Sequence, residues 1–116
     1  MGKKKDVDAI LNKGISLERQ NINEYAFSKE NVLKIIRQLE QINIGIAGGD
    51  VYKRKKKFFI PTYDNWQCDI QAGETENEYV QRSCDVALKY IANYHTDLNI
   101  FFVIVPLTDF ILARYK

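Results

Sequence analysis

Apolar residues recur at the spacing of an amphipathic helix in three segments of the chain. The first segment runs from Asp6 to Lys13 and stops before Gly14. The second covers roughly residues 29–42, and the third, which has the most regular pattern, covers roughly residues 76–94. Residues 15–26 have no firm period, so we expect a connection there, with an irregular strand as the alternative.

Residues that favour helix starts precede the second and third helices. Ser28 is suited to be the N-cap of the second helix, with Phe27 and Val32 placed to pack as a hydrophobic staple. Thr75 and Glu78 have the spacing of a capping box, in which each side chain accepts a hydrogen bond from the backbone of the other residue. These signals fix the predicted helix starts.

The segment after the second helix has the pattern of a strand. Residues 44–52 mix β-branched residues with glycines. Gly48, Gly49 and Asp50 mark a bend or bulge, because glycine inside a strand accompanies irregular pairing or the close approach of another group. A phosphate-binding turn is the alternative, but the glycine spacing does not match the nucleotide-binding motif.

The return strand of a hairpin is predicted at residues 58–63. Pro61 cannot donate a backbone hydrogen bond, so it belongs on an edge or at a strand end. The tip of the hairpin is then the basic block 53–57, and residues 64–73 form a loop. Further on, residues 99–105 are apolar without alternation, which is typical of a central strand covered on both faces.

Together these elements predict one α+β domain over residues 1–116. They follow the order α-α-β-β-α-β, with two or three helices packed on a small sheet of about three strands. Residues 107–116 are expected to add a final helical turn. A chain of 116 residues can bury a single core without disulfides or metal.

The charges are unevenly distributed along the chain. The formal net charge is +2, but residues 53–57 are five consecutive cations, so the remainder carries −3. We expect this block to be solvated charge that protects a sheet edge from aggregation, with nucleic-acid binding as the alternative. The longest apolar run is too short to span a bilayer and no signal sequence is evident, so we expect a cytoplasmic protein without a membrane partner.

The sequence holds no convincing catalytic set. His95 follows a predicted helix end, where capping or plain exposure is the usual role, and Cys84 lies on an apolar helix face. Cys68 and Cys84 lack metal-ligand or redox spacing, so we expect two reduced thiols. Asp50 and Asp64 are better explained as solvated acids than as a carboxylate pair. We expect no metal, no cofactor and no enzymatic activity.

An acidic stretch that contains Tyr63 and Trp66 is the best candidate for a partner-binding surface. Aromatic side chains offer large contact areas at low entropic cost, and carboxylates add charge selectivity. Trp66 has a second interpretation of equal weight, in which its ring closes the core. We expect the acidic loop and the first turn of the third helix to be exposed. The predicted contact residues are Asp64, Trp66, Asp69, Glu74, Glu76 and Glu78.

Several stretches of the chain, taken together, resemble a known family. They are AFSKENVLKII, GIAGGDVY, TYDNWQCD, EYVQRSCDVALKYI and IFFVIV. The stretches are similar to the immunity protein 40 family of bacterial polymorphic toxin systems, and the resemblance rests mainly on the words GGDVY and YDNW. It covers roughly residues 26–105 and leaves both ends of the chain unexplained.

The resemblance implies an antidote that is made in the toxin-producing cell and binds its cognate protein toxin. An acidic surface would suit the occlusion of a basic, nucleic-acid-binding cleft on that toxin. The family does not identify its contact residues, so those named above come from composition. Two alternatives stay open: a nucleic-acid-binding module that uses residues 53–57, and a small enzyme with a site at Asp50, Asp64 and Cys68.

Overall fold

The computed structural model describes residues 2–95 and 97–114. That part of the chain forms four helices and five strands, with a short 3-10 helix at Glu18–Gln20 between the first two strands. In chain order the elements are α1 (Gly2–Leu11), β1 (Ile15–Ser16), β2 (Tyr25–Ser28), α2 (Lys29–Gln41), β3 (Gly45–Lys55), β4 (Phe58–Gln67), α3 (Glu76–Asn93), β5 (Ile100–Leu107) and α4 (Phe110–Arg114).

The five strands form one antiparallel sheet in the order β1-β2-β5-β3-β4. Helix α2 joins β2 to β3, and α3 joins β4 to β5, so each helix crosses over one intervening strand. The last strand, β5, fills the gap between β2 and β3. The long apolar strand is therefore central, as its lack of alternation predicted.

The two faces of the sheet bury two apolar clusters of different size. Helices α1, α2 and α3 cover one face, to which β5 contributes Phe102 and Ile104. On the other face the segment between β1 and β2 brings Leu17 over a smaller cluster, to which β5 contributes Phe101 and Val103. Successive residues of β5 thus serve opposite faces, because side chains alternate along a strand.

Both predicted helix starts are confirmed. Ser28 Oγ accepts the backbone N–H of Asn31 at 3.3 Å at the start of α2. Thr75 Oγ1 accepts the N–H of Glu78 at 3.2 Å, and Glu78 Oε1 accepts the N–H of Thr75 at 2.9 Å, which completes the capping box of α3. Each cap satisfies backbone donors that have no partner within the helix.

The prediction of about three strands was wrong, because two short strands precede α2. β1 has two residues and β2 has four, too few to show a period. β2 also runs directly into α2, since Ser28 is both its last residue and the helix N-cap. The observed order is α-β-β-α-β-β-α-β-α instead of α-α-β-β-α-β.

The hairpin is longer than predicted on both of its strands. β3 runs to Lys55, so three of the five cations lie in the strand and only Lys56 and Lys57 form the turn. β4 continues to Gln67, where a loop from residue 64 onward was predicted. The polar residues at the far end of β4 conceal the strand from a search for apolar alternation.

The ends of the chain also differ in detail from the prediction. α1 begins at Gly2 instead of Asp6, and α4 confirms the final helical turn. Residues 115–116 of that predicted turn lie outside the described residues. No helix in the described part of the chain combines the length and the apolar character needed to cross a membrane.

Candidate partner-binding site

A β-bulge interrupts the pairing of β3 with β4. Asp50 pairs with Asn65 and Tyr52 pairs with Pro61, which leaves residues 62–64 of β4 opposite a single residue of β3. A bulge bends its strand and re-aims the side chain at its middle. Because β4 is the last strand in the sheet order, the bulge lies at an edge of the sheet.

Tyr63, at the middle of the bulge, has a left-handed backbone conformation with a φ of 71°. A bulky residue is rare in this region, and the conformation costs about 1–2 kcal/mol. Asn21 and Asn43 share it, but asparagine tolerates it well. The Tyr63 side chain is 85% exposed, so little packing within the protein offsets the strain.

Side-chain hydrogen bonds hold the bulge in place. Thr62 Oγ1 donates to a carbonyl of β3 at 2.9 Å and accepts the N–H of Asp64 at 3.1 Å. The amide of Asn65 donates to the Tyr63 carbonyl at 3.2 Å. The hydroxyl of Tyr94, next to the end of α3, donates to Asp64 Oδ2 at 2.6 Å, and this bond is the main cause of the raised pKa of Tyr94. The exposed ring of Tyr63 is therefore presented from a fixed backbone.

β4 carries other exposed apolar side chains near the bulge. Phe58 is 57% exposed and Ile60 is 47% exposed, and residues two apart on a strand share a face. A shallow depression at this edge is lined by Gln20 and by hairpin residues between Lys55 and Pro61. Exposed apolar side chains that are concentrated on one element indicate an interaction surface, whereas scattered ones do not.

The backbone edge of β4 is closed near the hairpin turn. The side-chain amide of Gln20 pairs with Phe59 as a strand would: Nε2 donates to its carbonyl at 2.8 Å, and Oε1 accepts its N–H at 2.7 Å. Pro61 faces the same side two residues later and has no N–H to donate. The prediction that Pro61 belongs on an edge is confirmed. The backbone of Phe59 and Pro61 is therefore not available to pair with an added strand.

The five consecutive cations do not act as one group. The guanidinium of Arg54 lies over the rings of Phe59 and Phe101, 5.3 and 5.8 Å from their centroids, and so covers the smaller cluster. The four lysines of the block are exposed. In the described residues, none of these lysines has a carboxylate within ion-pair distance. The turn end of the hairpin thus presents four lysine charges without an ion-pair partner among residues 2–95 and 97–114.

The glycines of the predicted bulge accommodate Trp66. A Cβ atom on Gly49 would overlap the indole ring, and one on Gly48 would overlap the Trp66 carbonyl. Trp66 is 8% exposed and packs on Tyr90 of α3 with ring centroids 4.7 Å apart. The core interpretation of Trp66 is confirmed. Its burial leaves almost no surface for the predicted partner contact.

Strand pairing is irregular on both sides of the same glycines. Towards β5 the register shifts between Ile46 and Gly48, and towards β4 it shifts between Asp50 and Tyr52. The predicted bulge is therefore confirmed, although it occupies both flanks of the glycine pair. Ser83 Oγ of α3 accepts the backbone N–H of Ile46 at 3.0 Å, which satisfies a buried donor beside the first irregularity.

Glu74 is buried, and the expectation that it would be exposed was wrong. Its carboxylate accepts hydrogen bonds from the Arg82 guanidinium at 2.7 and 2.9 Å and from the N–H of Gln71 at 2.9 Å. The bond from Arg82 is the main reason that the pKa of Glu74 lies below its ordinary value. Arg82 also donates to Cys68 Sγ at 3.1 Å. Glu74 therefore organises the loop before α3.

The other acidic candidates do not form one patch. Asp64 lies against the C-cap of α3, whereas Glu76 and Glu78 lie in its first turn. Because α3 has 18 residues, roughly 25 Å separates these two groups. Glu76 is half-buried and forms an ion pair with Lys3 at 3.5 Å. Asp69 is exposed between β4 and α3.

The residues of the alternative enzyme site are not brought together. Asp64 accepts a hydrogen bond from Tyr94 on the helix side of the sheet. Asp50 lies instead near Glu24 and Tyr52: burial raises the pKa values of these two residues, and the charge of Asp50 raises them further. Cys68 borders a separate depression beside α4. Burial raises the pKa of the Cys68 thiol, which makes it a poorer nucleophile.

Both cysteines are free, as predicted, and both are buried. Burial raises the pKa of Cys84 to about 12, so this thiol stays neutral. His95 is exposed, in agreement with one of its two predicted roles. Within residues 2–95 and 97–114, no group of three histidine, cysteine, aspartate or glutamate side chains is placed to hold a metal ion.

Sequence reasoning missed two features of the β4 edge. Gln20 has no pattern that predicts its pairing with a strand 39 residues away. Phe58 and Ile60 were recognised as strand residues but not as exposed ones. Pro61 was the signal in the sequence that could have indicated this exposure. Proline marks an edge strand, and the side chains of an edge strand have neighbouring strands on one side only.

Comparison with known proteins places the chain in a family. The family model described as immunity protein 40 matches residues 16–106. The match begins about ten residues before residue 26, where the resemblance in sequence begins. It therefore includes all of β2 and the segment between β1 and β2. Searches of curated proteins and of solved structures gave no significant match. Because the family model matches most of the chain, the chain belongs to the immunity protein 40 family.

Proposed function

We propose that this chain is the antidote of a bacterial polymorphic toxin system. It binds its cognate protein toxin in the cytoplasm of the producing cell and neutralises the toxin by contact. Family membership is the observation that carries this proposal. Occlusion of a toxin needs only a stable, complementary surface, so this function requires no catalytic step, metal or cofactor.

We also propose that exposed carboxylates contribute to the contact. Asp64, Asp69, Glu76 and Glu78 are the members of the predicted contact set that remain accessible to a partner. Their charges favour encounter with a basic toxin surface, such as the nucleic-acid cleft of a nuclease. Trp66 and Glu74, the two buried members of the set, contribute indirectly, because they hold β4 and the loop before α3 in place.

Nucleic-acid binding is the second candidate function, because the exposed lysines of the hairpin have no ion-pair partner among the described residues. Four exposed lysines would give a weak, salt-dependent affinity for any polyanion. Binding to generic duplex DNA or RNA that disappears after Lys55→Gln and Lys57→Gln would support this candidate. Toxin neutralisation by a chain that binds no generic DNA or RNA would rule this candidate out.

The experiment that tests the antidote function uses the product of the gene beside this one. Expressed alone, that product should stop growth of the host, and co-expression of the full chain described here should restore growth. The two purified proteins should also form a stable complex in size-exclusion chromatography. Growth arrest that is unaffected by the chain, together with the absence of a complex, would contradict the proposal.

A further inference from the structure

We infer that the outer side of β4, from Phe58 to Asp64, is the surface that grips the toxin, with Tyr63 as its anchor. The inference rests on the proposed antidote function and names the surface that performs it. It differs from the composition-based contact set, which contains only Asp64 from this stretch.

The strained backbone of Tyr63 supports its role as an anchor. A tyrosine in the left-handed region is strained, yet its ring is 85% exposed and contributes little to the core. Thr62 donates one hydrogen bond and accepts another, and Asn65 and Tyr94 each donate one, and these bonds hold the bulge that presents the ring. A fixed, exposed tyrosine is a typical interface anchor, because a preorganised aromatic ring loses little entropy on binding.

The surroundings of Tyr63 specify the chemistry of the partner. Phe58 and Ile60 add exposed apolar surface within five residues of Tyr63 on the same strand. Ile60 has no ring on which a base could stack, and membership of an immunity protein family favours a protein partner over a nucleic acid. In the part of the chain that the structure describes, the lysines near the hairpin turn have no ion-pair partner, so acidic residues on the toxin would complement them.

The closed backbone edge limits how the toxin binds. Gln20 occupies the N–H and carbonyl of Phe59, and Pro61 offers no donor. The toxin therefore does not extend the sheet. It presents an apolar pocket for the Tyr63 ring and an acidic rim that faces the hairpin turn.

Tyr63→Gly separates a binding role from a structural one. Glycine adopts a positive φ without strain, so this variant should keep or raise the melting temperature. Loss of the anchor should weaken binding of the neighbouring gene's product at least tenfold, mainly through faster dissociation. Tyr63→Asn, which also tolerates the left-handed region, should show the same loss. Asn21→Gly is the matched control, because Asn21 is exposed, has a φ of 62° and lies off β4, so neither property should change.

Each other outcome overturns the inference. Wild-type chain that fails to bind the toxin removes both the function and this surface. Wild-type chain that binds, together with Tyr63→Gly that binds equally well, removes the surface and leaves the function intact. Generic DNA or RNA binding, or dimerisation of the chain alone, that is lost in Tyr63→Gly while toxin binding persists would assign the surface to that other occupant.

Discussion

Gly49 shows how the absence of one side chain positions another. Gly49 and Trp66 are cross-strand partners, and the indole ring occupies the space where a Cβ atom on Gly49 would lie. The ring can therefore lie flat against β3 and pack on Tyr90. A glycine in a strand normally weakens it, but here the close packing of a large aromatic residue compensates.

Gly49→Ala should destabilise the protein by about 2–3 kcal/mol, because the new methyl group meets both the Trp66 ring and the Val103 carbonyl. Chemical denaturation followed by circular dichroism would measure the change. Gly73→Ala is the control: Gly73 has a φ of 75° and open space around it, so only backbone strain of about 1 kcal/mol is expected. Equal losses in the two variants would show that the ring does not lie against Gly49.

Trp66 also illustrates the limit of sequence reasoning about a single residue. Its position between two acidic residues is equally compatible with an interface and with a core, since an indole is suited to both. Only the pairing of β4 with β3 decides the matter, because it turns the ring towards α3. Glu74 is similar: no local pattern predicts that Arg82, eight residues further on, neutralises it.

At the scale of elements, α3 owes its start to local chemistry. Thr75 and Glu78 satisfy two backbone N–H groups reciprocally. All of the required atoms lie within four residues of one another, so the motif could be recognised without knowledge of the fold. The same holds for Ser28 and α2.

Thr75→Ala should reduce the free energy of unfolding by about 1 kcal/mol, because it removes the acceptor for the Glu78 N–H. Thermal unfolding by calorimetry would measure the loss. Asn77→Ala is the matched control in the same turn: the position is exposed, and alanine is the better helix former, so stability should stay equal or rise slightly. A Thr75→Ala variant as stable as the control would mean that solvent replaces the cap without cost.

The sheet depends less on local patterns than the helices do. β1 and β2 contain too few residues to show alternation, and β2 exists because β5 lies beside it. The far end of β4 is polar, and its strand conformation follows from pairing with Gly48 and Gly49. Strand partners come from distant parts of the chain, so these elements could not be predicted from their own residues.

At the scale of the whole molecule, opposite charges lie at opposite ends of β3. The lysines lie near the hairpin turn, at the end of β3. The acidic residues Glu76 and Glu78 lie in the first turn of α3, next to Tyr79, which packs beside Gly45 at the start of β3. β3 has 11 residues and spans roughly 35 Å. This distance exceeds the Debye length of about 8 Å at physiological ionic strength, so a partner senses the two ends independently.

Given the proposed antidote function, Asp69→Lys with Glu76→Lys should weaken toxin binding about tenfold, or about 1.4 kcal/mol, mainly by slowing association. Surface plasmon resonance at two salt concentrations would measure it. Glu78 is left unchanged because it belongs to the capping box. Glu18→Lys with Glu30→Lys changes the net charge equally at distant, exposed positions and should have little effect. Equal weakening in both pairs would indicate that only total charge matters.

Patterns in the amino-acid sequence were enough to predict the α+β class, the starts of α2 and α3, the central position of the apolar strand and the family. These depend on residues that are close together in the chain. The extent of the domain, residues 1–116, stays a prediction. Tertiary structure alone decided that Trp66 and Glu74 are buried, that Gln20 closes the edge of β4 and that Tyr63 is presented from a bulge. Each of these results from contacts between segments distant in sequence, which no local pattern encodes.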